Sequence, residues 1–164
     1  MKQLIIAFLF CACVSLISCA KEIDYTFNEY KVVELESAVR LTPAAGLTYP
    51  IVTVLRTVGT HSLQVNLVGE KLNVPQDMTF SLDTAVTSQL TANNSRAVEG
   101  THFNLNGGKF TMGKDSSFAT INVNILPVAA QTGKTAYFIL KLDGSNDIKA
   151  SENYRRVGIR IDLK

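Results

Sequence analysis

The chain has 164 residues, 18% of them charged, with 16 Lys and Arg against 14 Asp and Glu, three cysteines and no Trp. That length holds one domain of ordinary size plus a short leader. The near-even charge excludes the basic footprint of a nucleic-acid binder, and three cysteines are too few for a disulfide framework.

Met1-Lys2 opens the chain, and an apolar stretch follows from Leu4 to Ile17. A membrane-spanning helix needs about 20 apolar residues, so this stretch fits the apolar core of a secretory signal. It ends in Leu16-Ile17-Ser18-Cys19. The segment resembles bacterial lipoprotein signal peptides, in which a thiol at this position takes a diacylglycerol and the chain is cut just before it. That resemblance implies residues 1–18 as signal, lipidation of Cys19, and an outer-membrane protein held through its N-terminal lipid. Each buried methylene of such an anchor contributes about 0.8 kcal/mol. The other reading is an ordinary secretory signal cut nearby, for instance after Ala20. Cys11 and Cys13 would leave with the signal, so Cys19 would be the single remaining cysteine and no intramolecular disulfide could form.

Residues 19–31 read as the lipidated cysteine and a polar tether carrying Tyr25, Phe27 and Tyr30. Lys21-Glu22 and Asp24 resemble the lysine-plus-acid export signals of Bacteroidetes lipoproteins, which implies the cell surface; a solvated charged tether is the alternative.

From residue 32 to 164 the pattern is period two, rich in β-branched residues and punctuated by turn formers. Val33 and Leu35, extended to Val39, make a first strand, and Thr42 to Leu47 a Pro/Gly/Ala loop. Ile51 to Thr57 is a second strand ended by Gly59. Leu63, Val65 and Leu67 mark a third, and Met78, Phe80 and Leu82 a fourth, with Asn73, Pro75 and Gln76 turning between them. Ala85 to Val98 reads as a loop from its Thr, Ser and Asn content. Phe103 and Leu105 face Phe110 and Met112 across Asn106-Gly107-Gly108, a hairpin signal because type I′ turns need positive φ. Phe118 to Leu126 is a strand stopped by Pro127, and Ala136 to Leu142 and Arg156 to Leu163 complete the set. About eight strands and no helix predict an all-β, antiparallel, two-sheet sandwich of immunoglobulin type over residues 32–164; a closed barrel is the second architecture.

The run Ala97-Val98-Glu99-Gly100-Thr101-His102-Phe103, then Gly108-Lys109-Phe110, then Phe118 to Pro127, resembles a Calx-beta domain. Uncharacterised Bacteroidetes lipoproteins of unknown-function families show a similar Glu-Gly-x-His-Tyr/Phe step. Glu99, Gly100, His102, Phe103, Gly107 and Gly108 are given structural roles: Gly100 turns the chain, Phe103 plugs the core, and the paired glycines set the turn. Calx-beta domains bind calcium through carboxylates. Here His102 stands at the motif's Asp, and Pro127-Val128-Ala129-Ala130 replaces the acidic cluster. Calcium needs six to eight oxygen ligands, so neither a metal nor any other cofactor is expected.

No catalytic constellation is expected either. His61 and His102 are the only histidines, and no serine sits in a nucleophile elbow. Asp83-Thr84-Ala85 matches a Bacteroidetes O-glycosylation pattern, with Thr84 as acceptor. Tyr49, Tyr137 and Tyr154, with Arg156 and Arg160 on the outward side of the last strand, are the candidates to face a ligand. Edge protection is the other reading of those arginines. The expectation is a non-enzymatic, lipid-anchored binding module of a glycan-utilisation or adhesion system, with a glycan or another surface protein as partner. The alternative is an assembly subunit pairing through strand edges.

Overall fold

The computed structural model describes residues 30–85 and 89–164. The signal segment, Cys19 and the tether up to residue 29 lie outside the described residues.

Among the described residues eleven strands and one short helix are formed: β1 (Val32–Leu35), α1 (Glu36–Arg40), β2 (Ile51–Leu55), β3 (Thr60–Val68), β4 (Gln76–Asp83), β5 (Asn94–Arg96), β6 (Phe103–Asn104), β7 (Lys109–Met112), β8 (Phe118–Ile125), β9 (Thr135–Gly144), β10 (Lys149–Ala150) and β11 (Arg156–Asp162). One layer runs β6-β8-β3-β1. The other runs β7-β4-β9-β11-β2, with β5 continuing the β4 side of β9. Among the described residues, strand pairing passes between the layers only through the two-residue β10, which pairs with β1 and meets β9 at Lys149↔Gly144. The path ends at β2 and β6 without closing, so the architecture is a sandwich and not a barrel.

The alternation read from sequence puts the core between the layers. Leu63, Val65 and Leu67 of β3 and Ala119, Ile121, Val123 and Ile125 of β8 face Phe138, Leu140 and Leu142 of β9 and Val157, Ile159 and Ile161 of β11, all buried. Phe103 stacks on Phe138 with ring centroids 3.9 Å apart and planes 9° from parallel. Each such large buried side chain contributes about 1.5–3 kcal/mol through the apolar area it removes from water.

Four expectations are corrected. Val39 is in α1, not in a strand, and is exposed. The chain leaves β1 as a single helical turn because it must cross from one layer to the other, and Ala38 anchors that turn in the core. The sheets are not purely antiparallel: β2 runs parallel to β11, β1 to β10 and β5 to β9. Part of the segment read as the 85–98 loop is the strand β5.

Finally, β6 and β7 are not a hairpin. The Asn106-Gly107 turn is present, with φ of 50° and 87° and Gly108 N–H donating to the Leu105 carbonyl at 3.4 Å. The turn instead hands the chain from one layer to the other: β6 pairs with β8, and β7 with β4. Burial of Phe103 against Phe138 fixes one side. A close approach fixes the other, since a Cβ on Gly108 would sit 2.9 Å from the Phe80 carbonyl oxygen.

Candidate functional site

The Glu99–Phe103 motif builds a turn. Gly100 has φ of 81° and donates its N–H to the Phe103 carbonyl at 2.8 Å. Glu99 Oε1 accepts the Leu105 N–H at 3.2 Å, and His102 Nδ1 accepts the Val98 N–H at 3.1 Å. The Glu99 and His102 side chains are thus engaged with backbone at the entry to β6. Among the described residues no cluster of three metal-ligating side chains exists.

The three candidate tyrosines separate. Tyr49 and Tyr137 are buried, which corrects their expected exposure. They lie on the outer face of the β9–β11 layer with Ile139, beneath the segment that carries Leu47 and leads into β2. Tyr137 donates its hydroxyl to the Tyr49 hydroxyl at 3.3 Å. Burial, and then that hydrogen bond, hold the Tyr137 phenol far above its usual value, so it stays neutral. Its ring lies over Gly158 of β11, where a Cβ would come within 2.5 Å of the hydroxyl.

Tyr154 is 40% exposed. It precedes β11, and its carbonyl accepts the Leu35 N–H at 2.9 Å, which ties it to the end of β1. Two adjoining cavities share Tyr154 in their lining. One of about 350 Å³ is lined by Pro43, Thr48, Glu152, Asn153, Tyr154 and Arg156. The other, about 370 Å³, shares Pro43, Thr48, Asn153 and Tyr154 and extends along Ala38 to Thr42. The two charged residues of the first cavity are held in place. Arg156 Nε donates to Asp83 Oδ2 at 2.7 Å, and Glu152 pairs with Arg155 at 3.0 Å. The Ala85 N–H first, and Arg156 after it, keep the Asp83 carboxyl below its ordinary range. The cleft therefore offers one aromatic surface flanked by an amide, a hydroxyl, a carboxylate and a guanidinium. That set can bond a ligand rich in hydroxyls while the ring covers an apolar patch.

Arg160 also points outward on β11, but it does not line this cleft. Thr84 is exposed within the turn that Asp83 closes by accepting the Ala85 N–H at 3.0 Å. Pro43, Thr48, Glu152 and Asn153 were not legible from sequence, because the fold brings together two loops about a hundred positions apart.

A third cavity, about 460 Å³, opens on the side of the sandwich between β2 and β3. Val52, Leu41 and Leu63 line it together with Glu36, Ser37 and His61. Ser37 Oγ and His61 Nε2 are buried there without hydrogen-bond partners. Burial holds the His61 imidazole below its ordinary value. Among the described residues no carboxylate pairs with either histidine.

No family model and no curated protein matches the chain. In fold it is similar to the apo-form Calx CBD1 domain, with a TM-score of 0.52 at 14% identity over 82% of this chain and 99% of that one. It is similar to a two-domain protein of unknown function from Bacteroides fragilis, with a TM-score of 0.57 at 8% identity over 82% of this chain and 46% of that one. A protein from Bacteroides ovatus inferred to bind carbohydrate gives a TM-score of 0.55 at 11% identity over 80% of this chain and 37% of that one. At such identities the likeness establishes a Calx-beta-like β-sandwich and nothing further. The chain spans less than half the length of the two Bacteroides proteins.

Proposed function

We propose that this domain is a non-enzymatic glycan-binding module, carried on the outer membrane by a lipid on Cys19 and facing outward. The observation that carries the reading is the Tyr154 cleft. An exposed aromatic ring stands between two cavities, with Asn153, Thr48, Glu152 and Arg156 around it. Sugars present alternating hydroxyls and an apolar ring face, and these are the two surfaces the cleft complements. The similar fold of a Bacteroides protein inferred to bind carbohydrate supports the same reading. The anchor rests on the sequence around Cys19 alone.

The test is binding of the full chain, in mild detergent, to a panel of soluble polysaccharides by affinity electrophoresis, followed by calorimetry on any that retard it. The module retards at least one glycan, and Tyr154→Ala weakens that binding roughly tenfold, the ~1.4 kcal/mol scale of an aromatic anchor. Equal binding by the variant, or no retardation by any glycan, overturns the assignment.

A further inference from the structure

Among the described residues β2 is the outer strand of its layer: it pairs with β11 on one side and with no strand on the other. Uncovered edges are normally blunted by a charge, a proline, a bulge or great shortness. β6 at the end of the other layer has two residues, and β7 carries Lys109. β2 has none of these devices. Its five residues, Ile51-Val52-Thr53-Val54-Leu55, are uncharged, and their register with Gly158–Asp162 is unbroken.

The hydrogen bonds that flank the strand show which backbone groups are free. Gly158 N–H donates to the Pro50 carbonyl at 2.9 Å, and Arg56 N–H to the Asp162 carbonyl at 3.0 Å. In a parallel pair these bonds recur every second residue, so the even-numbered residues of β2 face β11. Ile51, Thr53 and Leu55 direct their backbone groups the other way. The Leu55 carbonyl already accepts the Val58 N–H at 3.1 Å. The rest are open.

This edge is complementary to itself. In an antiparallel pair centred on Thr53, Thr53 meets its own copy and Ile51 meets Leu55. All of these residues carry outward-directed backbone groups, which is what a hydrogen-bonded pair requires. Two bonds form between the Thr53 residues. One more forms at each end, from a Leu55 N–H to an Ile51 carbonyl. The side chains agree with the backbone. Leu55 is 49% exposed, and Ile51 packs on the Tyr49–Tyr137–Ile139 cluster, so the cross-strand pair extends an apolar surface already present. On the inner face Val52 is paired with Val54 of the second copy. Val54 stays in the core of its own copy, and Val52 borders the cavity of about 460 Å³.

We propose that β2 is a homodimer interface, joining two copies edge to edge about a two-fold axis through Thr53 into one continuous sheet. The occupant is a second copy because the strand's register, free groups and side chains match themselves, as an isologous contact demands. The contact is smaller than the roughly 1,600 Å² of a standard stable interface, so association depends on concentration in the micromolar range. This inference is independent of the glycan reading.

Sedimentation equilibrium of the full chain in mild detergent, corrected for bound detergent, tests it. Detergent prevents the apolar N-terminal run from driving association. The protein mass doubles as concentration rises, and the Thr53 and Leu55 amides become protected from hydrogen exchange in step. Thr53→Pro removes an N–H that has no partner among the described residues and leaves a monomer. Leu55→Lys does the same through an exposed side chain, and decides the matter should the proline variant misfold. A monomer at every concentration overturns the proposal, as does a dimer that survives both variants.

Discussion

Gly158→Ala is a sharp test of the outer-face packing. Gly158 is buried, and none of its constraint is conformational, since its φ is not in the left-handed region. The constraint is space. A Cβ there would lie 2.5 Å from Tyr137 Oη, 2.8 Å from Cε2 and 3.0 Å from Cζ. The ring is planar, fully buried and tethered to Tyr49 through its hydroxyl. It cannot yield as the end of a flexible chain would. Overpacking of this kind costs about 1–3 kcal/mol, and for a domain of this size each ~1 kcal/mol moves Tm by roughly 3–5 °C. The variant should melt about 3–15 °C lower on that scale. A double-mutant cycle locates the cause. On a Tyr137→Leu background Gly158→Ala should be nearly neutral, giving a coupling of about 1–3 kcal/mol from urea midpoints at constant m. An equal cost on both backgrounds, or none on either, would refute the argument from the Tyr137 ring.

Three further outcomes follow from particular groups. The folded His61 imidazole lies below its ordinary value through burial, so the unfolded chain takes up its proton first as pH falls. The stability His61 allows is complete above the unfolded value of about 6.5 and is lost as pH drops below it; urea midpoints should fall from pH 7 to 5.5, and His61→Leu should flatten that slope. Glu99 spends an oxygen on the Leu105 N–H, so added calcium should leave the melting curve unchanged, whereas a rise with calcium would make Glu99 a metal ligand. Cys19→Ser should shift the protein from the membrane fraction and abolish fatty-acid labelling; a labelled, membrane-bound variant would remove the anchor.

The strands were legible where burial is one-sided. β3 and β8 alternate because one face is wet, and their core residues were read correctly. β9 hid more. Ala136 to Leu140 is buried at every position, and such a continuous apolar run marks a strand covered on both faces. It was a signal that Tyr137 is inside. Gly158 was a second signal, since a glycine at an outward position of a strand marks a close approach. The helix left no trace because it is one turn without a side-chain cap, formed in passing between layers. The turn at Asn106-Gly107 was legible from local φ requirements, but its destination was not, since Phe103 and Gly108 choose their layers by tertiary contact. Tyr154 and Arg156, named from sequence as candidates to face a ligand, line the cleft. Pro43 and Thr48 belong to a loop with no pattern of its own.

One detour accounts for the cleft, the side cavity and the free edge together. β1 pairs with β3 only as far as Val65, and the chain then leaves through α1. It rejoins the other layer at Ile51, parallel to β11. A direct crossing would have laid one extended strand along this side of the sandwich and closed it. Instead the chain between Glu36 and Pro50 bulges outward. Its first turn roofs the cavity beside His61, its middle supplies Pro43 and Thr48 to the cleft at Tyr154, and its last part covers Tyr137 with Leu47 and Tyr49. Among the described residues the same departure leaves Thr60–Gln64 of β3 without a strand on that side and β2 with an open edge. The core is indifferent to this, because Leu63, Val54 and Ala38 remain buried. The surface is what changes: a side that a straight strand would have sealed keeps the cleft and the open edge on which the two proposals rest.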